Sequence, residues 1–256
     1  MIVDLHSHLA PAVDDGASSV DDAVLALRAL AAEEVGALVT TPHLLLPHLD
    51  SAAAVARELD RHRRAFDSLA AAAALAEDRL PTIGLGQEIW APDATALRRG
   101  LACPGLGLGG SSYLLVEFGF DLTGGHHDVI QAVLDAGRRI VVAHPERYRY
   151  LPGFDPVETA TAWRAAGALL QINAGSLGGH YERSNPGARD LAWRFVENGL
   201  ADLIATDHHA SNRPVSPREA WDAVVARRGA ELARRLMSET PGRILRNEPV
   251  ARRAAA

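Results

Sequence analysis

Short apolar runs alternate with longer amphipathic stretches from one end of the chain to the other. Residues 1–5, 37–41, 82–86, 113–117, 139–143, 168–173 and 202–206 are the apolar runs, each short enough to read as a buried strand. Helical patterns fill the gaps. Val20, Val24, Leu27, Leu30 and Ala31 form one buried stripe, with Ser18 or Ser19 as its cap, Asp21 and Asp22 in its first turn, and Gly36 as its stop. An Ala-rich helix is predicted over about 51–77, a short one over 93–99, and another over 127–136 that closes at Gly137. Asp155-Pro156 opens a helix ending near Gly167, Asn185-Pro186 opens one ending at Asn198-Gly199, and 218–235 is the last. The Gly-rich stretch 105–110 lacks the Lys-Ser/Thr ending of a phosphate loop and precedes a strand, so it reads as plain connection.

Seven strand–helix units imply parallel pairing through right-handed crossovers. They fit a closed or nearly closed barrel, an α/β fold of the distorted (β/α)7 TIM-like kind. Such a barrel turns the carboxyl ends of its strands toward one mouth, where sites are built. An open doubly wound sheet competes, but it would not bring residues from every strand to one point. At 256 residues the chain reads as a single barrel domain over 1–256, with a tail that frays after about 245.

The polar residues at the strand ends carry the chemistry. His6 and His8 follow the first run at spacing two, so in an extended chain they point the same way. His43 follows the second run, Glu88 the third, Glu117 the fourth and His144 the fifth; the sixth ends in Asn173, and the seventh in Asp207-His208-His209. Asp207 and His209 repeat the spacing of His6 and His8, which turns His208 away. His48, His62, His126, His127 and His180 lie in predicted loops or helix surfaces, and most are expected to be solvated. Converging imidazoles and carboxylates at one mouth hold more ligands than one ion needs, so two or three ions are implied. Nitrogen and oxygen donors without thiolate suit Mn, Fe or Zn better than Ca or Mg. Such a cluster can clamp a phosphoryl group and supply hydroxide, and Arg147 and Arg213, which follow the fifth and seventh strands, offer forks that match phosphate oxygens.

Composition narrows the partners. A net charge of -6 gives no reason to expect nucleic acid or an anionic membrane. The single cysteine, Cys103, excludes an internal disulfide framework. No apolar run is long enough to span a bilayer and no amino-terminal signal is visible, so a cytoplasmic protein without membrane insertion is expected. Every basic side chain is Arg, which excludes a catalytic lysine.

His6-x-His8, Asp14-Asp15-Gly16, Thr41-Pro42-His43, Gly86-x-Glu88, Glu117, the segment His144-Pro145-Glu146-Arg147-Tyr148, Gln171-Ile172-Asn173 and Asp207-x-His209 together resemble the polymerase and histidinol phosphatase (PHP) superfamily. More narrowly they resemble its bacterial manganese-dependent protein-tyrosine phosphatases of capsule and exopolysaccharide loci, in order over about 1–220. The resemblance implies a distorted (β/α)7 barrel with up to three metals, Mn2+ first. By position it implies His6, His8, Glu88 and Asp207 around one ion and Glu88, Glu117 and His144 around a second, with His43 and His209 holding a third. Asp14 stands where the superfamily has a further ligand, with Asp15 next to it. Arg147 and Arg213 match the family's phosphate-contacting arginines, and the implied substrate is phosphotyrosine on an autophosphorylating kinase of polysaccharide export. One departure is Leu44-Leu45-Leu46-Pro47-His48, where the family has a polar and aromatic loop. Rival readings are a small-molecule phosphatase of the histidinol-phosphate type, a 3′ exonuclease, and a catalytically silent module that binds a phosphorylated kinase tail. Oligomeric state is not legible.

Overall fold

A computed structural model describes residues 1–122 and 124–251. It contains seven principal parallel strands: β1 (Ile2–Ser7), β2 (Val35–Thr40, resuming as His43–Leu45), β3 (Thr82–Leu85, resuming as Glu88–Trp90), β4 (Tyr113–Glu117), β5 (Arg139–Ala143), β6 (Leu169–Asn173) and β7 (Leu203–Ala205). Each pairs in parallel with its neighbour in sequence. A bridge between Ser7 and His208 joins the last strand to the first, with the Asp207 N–H donating to the His6 carbonyl at 2.8 Å and the His8 N–H to the His208 carbonyl at 2.7 Å. The ring of strands is therefore closed, as the alternation of runs predicted.

Its distortion has a sequence cause. Pro42 has no N–H to give and interrupts β2; Gly86-Gln87 interrupts β3. The first half of β3 pairs only with β2, and the turn at Leu108–Gly110 lies against it instead of β4. That approach needs glycine: a Cβ on Gly86 would stand 3.1 Å from the Leu108 Cα. The second halves of β2 and β3 then resume pairing in the same register as the first, which sets His43 beside Glu88.

Two apolar layers hold the ring. Val3, Leu5, Val39, Tyr113, Leu115, Val141, Ala143, Leu169 and Leu203 fill its interior with Leu108 and Ile244, while alternate residues such as Leu114, Val116, Ile140 and Val142 face the helices. The main helices are α1 (Val20–Ala32), α2 (Ala52–Ala74), α3 (Ala94–Gly100), α4 (His126–Asp135), α5 (Pro156–Ala166), α6 (Ala174–Gly178), α7 (Ala188–Glu197), α8 (Pro217–Arg228), α9 (Ala230–Arg234) and α10 (Thr240–Leu245). Ser19, Ser51, Asp93, Asp155 and Ser216 each accept a backbone N–H at a helix start.

The carboxyl-terminal region departs from expectation. The helix predicted over 218–235 breaks at Gly229, whose φ of 89° ends α8. The chain then stays helical through Leu245, past Pro241, because a wide turn over Arg235–Glu239 relaxes the ladder where Pro241 has no N–H to donate. Within the tail expected to fray after about 245, Asn247, Glu248 and Val250 are held by contacts to the barrel. The Asn247 Oδ1 accepts from the Ser112 N–H (2.9 Å) and hydroxyl (2.7 Å), the Tyr113 hydroxyl donates to the Glu248 carbonyl (2.7 Å), and Val250 packs on the interior layer. Residues 252–256 lie outside the described residues.

Candidate metal centre

The mouth gathers its side chains from the ends of six strands. His6 and His8 leave β1 where its register shifts between Asp4 and Ser7. The alternation that turns Val3 and Leu5 inward gives way there, and both imidazoles face the mouth. His144 and Asp207 follow β5 and β7 with φ of 32° and 54°, left-handed values that only a fixed surrounding sustains in non-glycine residues. His144 also precedes Pro145, which narrows its choices further. The turn Asp14-Asp15-Gly16 folds back onto β1, with the Ala17 N–H donating to the His8 carbonyl at 2.8 Å. A Cβ on Gly16 would lie 2.0 Å from that oxygen, so glycine is required.

Four groups of side chains present ligand atoms within 4.8 Å of one another: His6, His8 and Asp207; His6, Glu88 and His144; His43, Glu88 and Glu117; and His8, Asp15, His43 and His209. The tautomers of two imidazoles follow from what holds their Nδ1. His6 Nδ1 lies 3.0 Å from Gln171 Oε1, which also takes the His144 N–H at 3.3 Å and so must be the amide oxygen. His8 Nδ1 lies 2.8 Å from Asp14 Oδ2. Both Nδ1 atoms therefore donate, and both neutral rings turn an Nε2 lone pair into the site. Those lone pairs meet carboxylates. His8 Nε2 lies 3.2 Å from Asp207 Oδ1 and 3.4 Å from Glu88 Oε2, and His6 Nε2 is 3.4 Å from the same Glu88 oxygen. At the rim, His209 Nε2 faces the exposed Asp15 Oδ1 at 3.2 Å, with Arg213 Nη2 2.7 Å away. Lone pair against lone pair is repulsive unless a cation or a proton lies between, and burial raises the cost. Glu88 Oε2 and His144 Nδ1 are buried without a directed hydrogen bond among the described residues. The donor set fits divalent metal.

Proton affinities carry the same tension. Burial opposes charge on His8, yet Asp14 beside it raises the ring well above its ordinary value. Against the same burial, Glu88 lifts His43 to about 10. Glu88 and Asp207 are held well below the carboxylate range by the surrounding histidines, although burial works the other way. Glu117 goes up to about 7, through burial and the Glu88 charge. His144 falls to about 4 because burial outweighs Glu88, whose Oε1 lies 2.8 Å from its Nε2.

Residues 2–246 match the family described as "Capsular polysaccharide synthesis, CpsB/CapC". The chain belongs to this family. Among its relatives, the tyrosine-protein phosphatase YwqE of Bacillus subtilis is 28% identical over 257 residues, covering 98% of this chain and 94% of YwqE. The putative tyrosine-protein phosphatase CapC of Staphylococcus aureus is 28% identical over 224 residues, covering 86% of this chain and 82% of CapC. A solved structure from work on YwqE and on CpsB of Streptococcus pneumoniae, described as unique metal-dependent tyrosine phosphatases, superposes with a TM-score of 0.76 at 26% identity. It covers 99% of this chain and 98% of that one. The lactonase Lmo2620 of Listeria monocytogenes shares the fold, with a TM-score of 0.51 at 14% identity.

In this CpsB/CapC chain the mouth brings together His6, His8, His43, Glu88, Glu117, His144, Asp207 and His209. Asp14 stands outside the four groups. Its Oδ2 is spent on His8 and the His43 N–H (3.2 Å) and its Oδ1 on the Gly16 N–H (3.0 Å), while Asp15 faces His43 and His209. His208 points away, its ring held against Val215. Arg147 is buried and donates from Nη1 to Asp207 Oδ2 at 2.6 Å; Arg213 Nη2 reaches both Asp207 oxygens at 3.3 Å. Tyr181 was not visible as a site residue in the sequence, because it follows a helix turn and no apolar run. Its ring centre lies 4.3 Å from the Arg147 guanidinium carbon and 5.9 Å from that of Arg213. His62 and His126, expected to be solvated, are buried: His62 bonds Gln87 at 2.7 Å and His126 takes the Trp163 indole N–H at 2.8 Å. In the loop that departs from the family, Leu44 and Leu46 are buried in the core, and of its three leucines only Leu45 is exposed.

Proposed function

We propose that this chain is a metal-dependent tyrosine-protein phosphatase of capsule or exopolysaccharide synthesis, with Mn2+ as its metal and two or three ions bound. His6, His8, Glu88 and Asp207 would hold one ion, and Glu88, Glu117 and His144 a second. His43 and His209 would hold a third with Asp15, while Asp14 orients His8. Bound ions of this kind lower the pKa of coordinated water and neutralise phosphoryl charge. The chain's own contribution is orientation and charge. Arg147, fixed by Asp207 and by the Tyr181 ring, presents its remaining N–H groups to equatorial phosphoryl oxygens, where charge builds. Arg213, half-exposed at the rim, meets the same group from the other side. The substrate would be a phosphotyrosyl protein, a tyrosine kinase of polysaccharide export, in the cytoplasm.

The observation that carries this reading is the set of buried His6 and His8 Nε2 lone pairs aimed at the buried carboxylates of Glu88 and Asp207, in a chain whose family relatives are named as tyrosine phosphatases. Metal analysis of the purified protein, followed by assay on a phosphotyrosyl peptide with Mn, tests it. Turnover is expected; none at full metal occupancy would refute it. Faster turnover of histidinol phosphate than of the peptide would move the assignment to a small-molecule phosphatase.

A further inference from the structure

We propose that Phe120 is the specificity-determining wall for the aromatic ring of the substrate; this rests on the phosphatase reading. Phe120 is one of the few large apolar side chains left in water, 47% exposed at the rim of a charged mouth. Its ring lies nearly parallel to that of His144, at 11° with centres 6.3 Å apart, and 5.2 Å from the Arg147 guanidinium carbon. It is held out deliberately. The Arg149 N–H donates to the Phe120 carbonyl at 2.6 Å, and the next residues, Asp121–Leu122, pair in parallel with Arg149–Tyr150. Arg149 Nη2 clamps Asp121 at 2.7 Å across that ladder. The loop after β4 is thereby locked to the loop that carries His144 and Arg147, and the ring cannot collapse onto the core.

Beside it opens a cavity of about 580 Å³, lined by Phe120, Arg147, Arg149 and Pro186 among others. Arg147 joins the two regions, since it lines the cavity while its Nη1 binds Asp207 in the mouth. A phosphoryl group on Arg147 therefore directs its ester substituent into this space. A phenyl ring there reaches Phe120 at the separations where aromatic pairs attract; the single methylene of a serine ester does not. A second cavity at the mouth, about 390 Å³, is lined by Asp14, Asp15, His43, His48, Glu58 and Arg61 among others, and by no Phe, Tyr or Trp ring.

The test is calorimetric binding to the Mn-loaded protein of two ligands that cannot be hydrolysed at a P–O ester, phenylphosphonate and methylphosphonate. Phe120→Ala, at unchanged metal content, is expected to weaken phenylphosphonate about tenfold and leave methylphosphonate within about twofold, since an aromatic pair contributes on that order. Phe120→Trp should restore the preference. Turnover should follow, with KM for phenyl phosphate rising more than kcat falls. Equal weakening of both ligands, or no weakening of either, overturns the wall and leaves the phosphatase reading standing. If neither ligand binds the Mn-loaded wild type, the phosphatase reading falls and the wall with it.

Discussion

Asp14 and Asp15 are neighbours with different tasks, and the difference is one of direction. Asp14 turns inward against His8 Nδ1, and Asp15 faces the Nε2 atoms of His43 and His209. Asp15→Asn should therefore remove one metal equivalent by elemental analysis, because an amide is a far poorer ligand than a carboxylate. Asp14→Asn should keep the stoichiometry and weaken affinity about 10- to 100-fold, the usual cost of losing a histidine's orienting partner. Equal metal loss in both variants would show that the distinction is false. His144 carries a sharper prediction. Its Nε2 meets Glu88, its Nδ1 has no directed hydrogen bond among the described residues, and little of the apolar core depends on it. His144→Ala should abolish turnover while the circular dichroism spectrum stays that of the wild type; retained activity would remove the second ion from the proposal.

The elements were legible where a single run or stripe defined them. β4 and β5 match the predicted bounds and α5 differs only by a residue or so, because the apolar period and a local cap fix both ends; α1 starts at its Ser19 cap but ends at Ala32, and Gly36, read as its stop, lies inside β2. What failed depended on distant partners. Nothing near Asn247 announces that Ser112 will hold it, and nothing near His62 or His126 announces Gln87 or Trp163. The choice between Asp14 and Asp15 was equally hidden, since an irregular turn has no periodicity to read. Barrel closure is the feature most exposed to test. Buried Asp4 accepts the Thr206 N–H at 3.0 Å, together with the Thr206 hydroxyl, and so ties β1 to the end of β7. Asp4 also takes the His6 N–H at 3.3 Å, and the Thr206 hydroxyl has the His6 carbonyl as a second acceptor, so Asp4→Ala would strand the two N–H donors at about 1–3 kcal/mol each. A fall in Tm of about 5–10 °C is expected in a thermal melt, given the few degrees per kcal/mol of a chain this size; an unchanged Tm would mean the seam is held elsewhere. Gly16→Ala should act differently. The displaced turn carries Asp14 and Asp15 with it and breaks the Asp14–His8 pair, so metal content should fall together with the metal-free melting point.

At the scale of the whole molecule the site and the fold compete for protons. In the metal-free protein His6, His8 and His43 are all raised, each against burial, by the carboxylates around them. The stabilisation from His43 is complete below its ordinary value of 6.5 and is lost as pH rises through about 10. Asp14 is lowered to about 2 by His8, against the pull of burial; its stabilisation is present above 3.8 and is lost as pH falls through about 2. The metal-free fold is thus best supported from about pH 4 to 6.5 and loses support above that window. A metal needs the same imidazoles deprotonated, so its binding releases protons and tightens as pH rises. The two trends diverge. The difference in Tm between Mn-loaded and chelator-treated protein should widen steadily from about pH 6 to 8, because ligand stabilisation grows with affinity while the metal-free state weakens. Thermal melts across that range, paired with calorimetry in two buffers of different ionisation enthalpy to count released protons, measure it directly. A difference that stays flat, with no proton released, would mean that these histidines do not hold the metal.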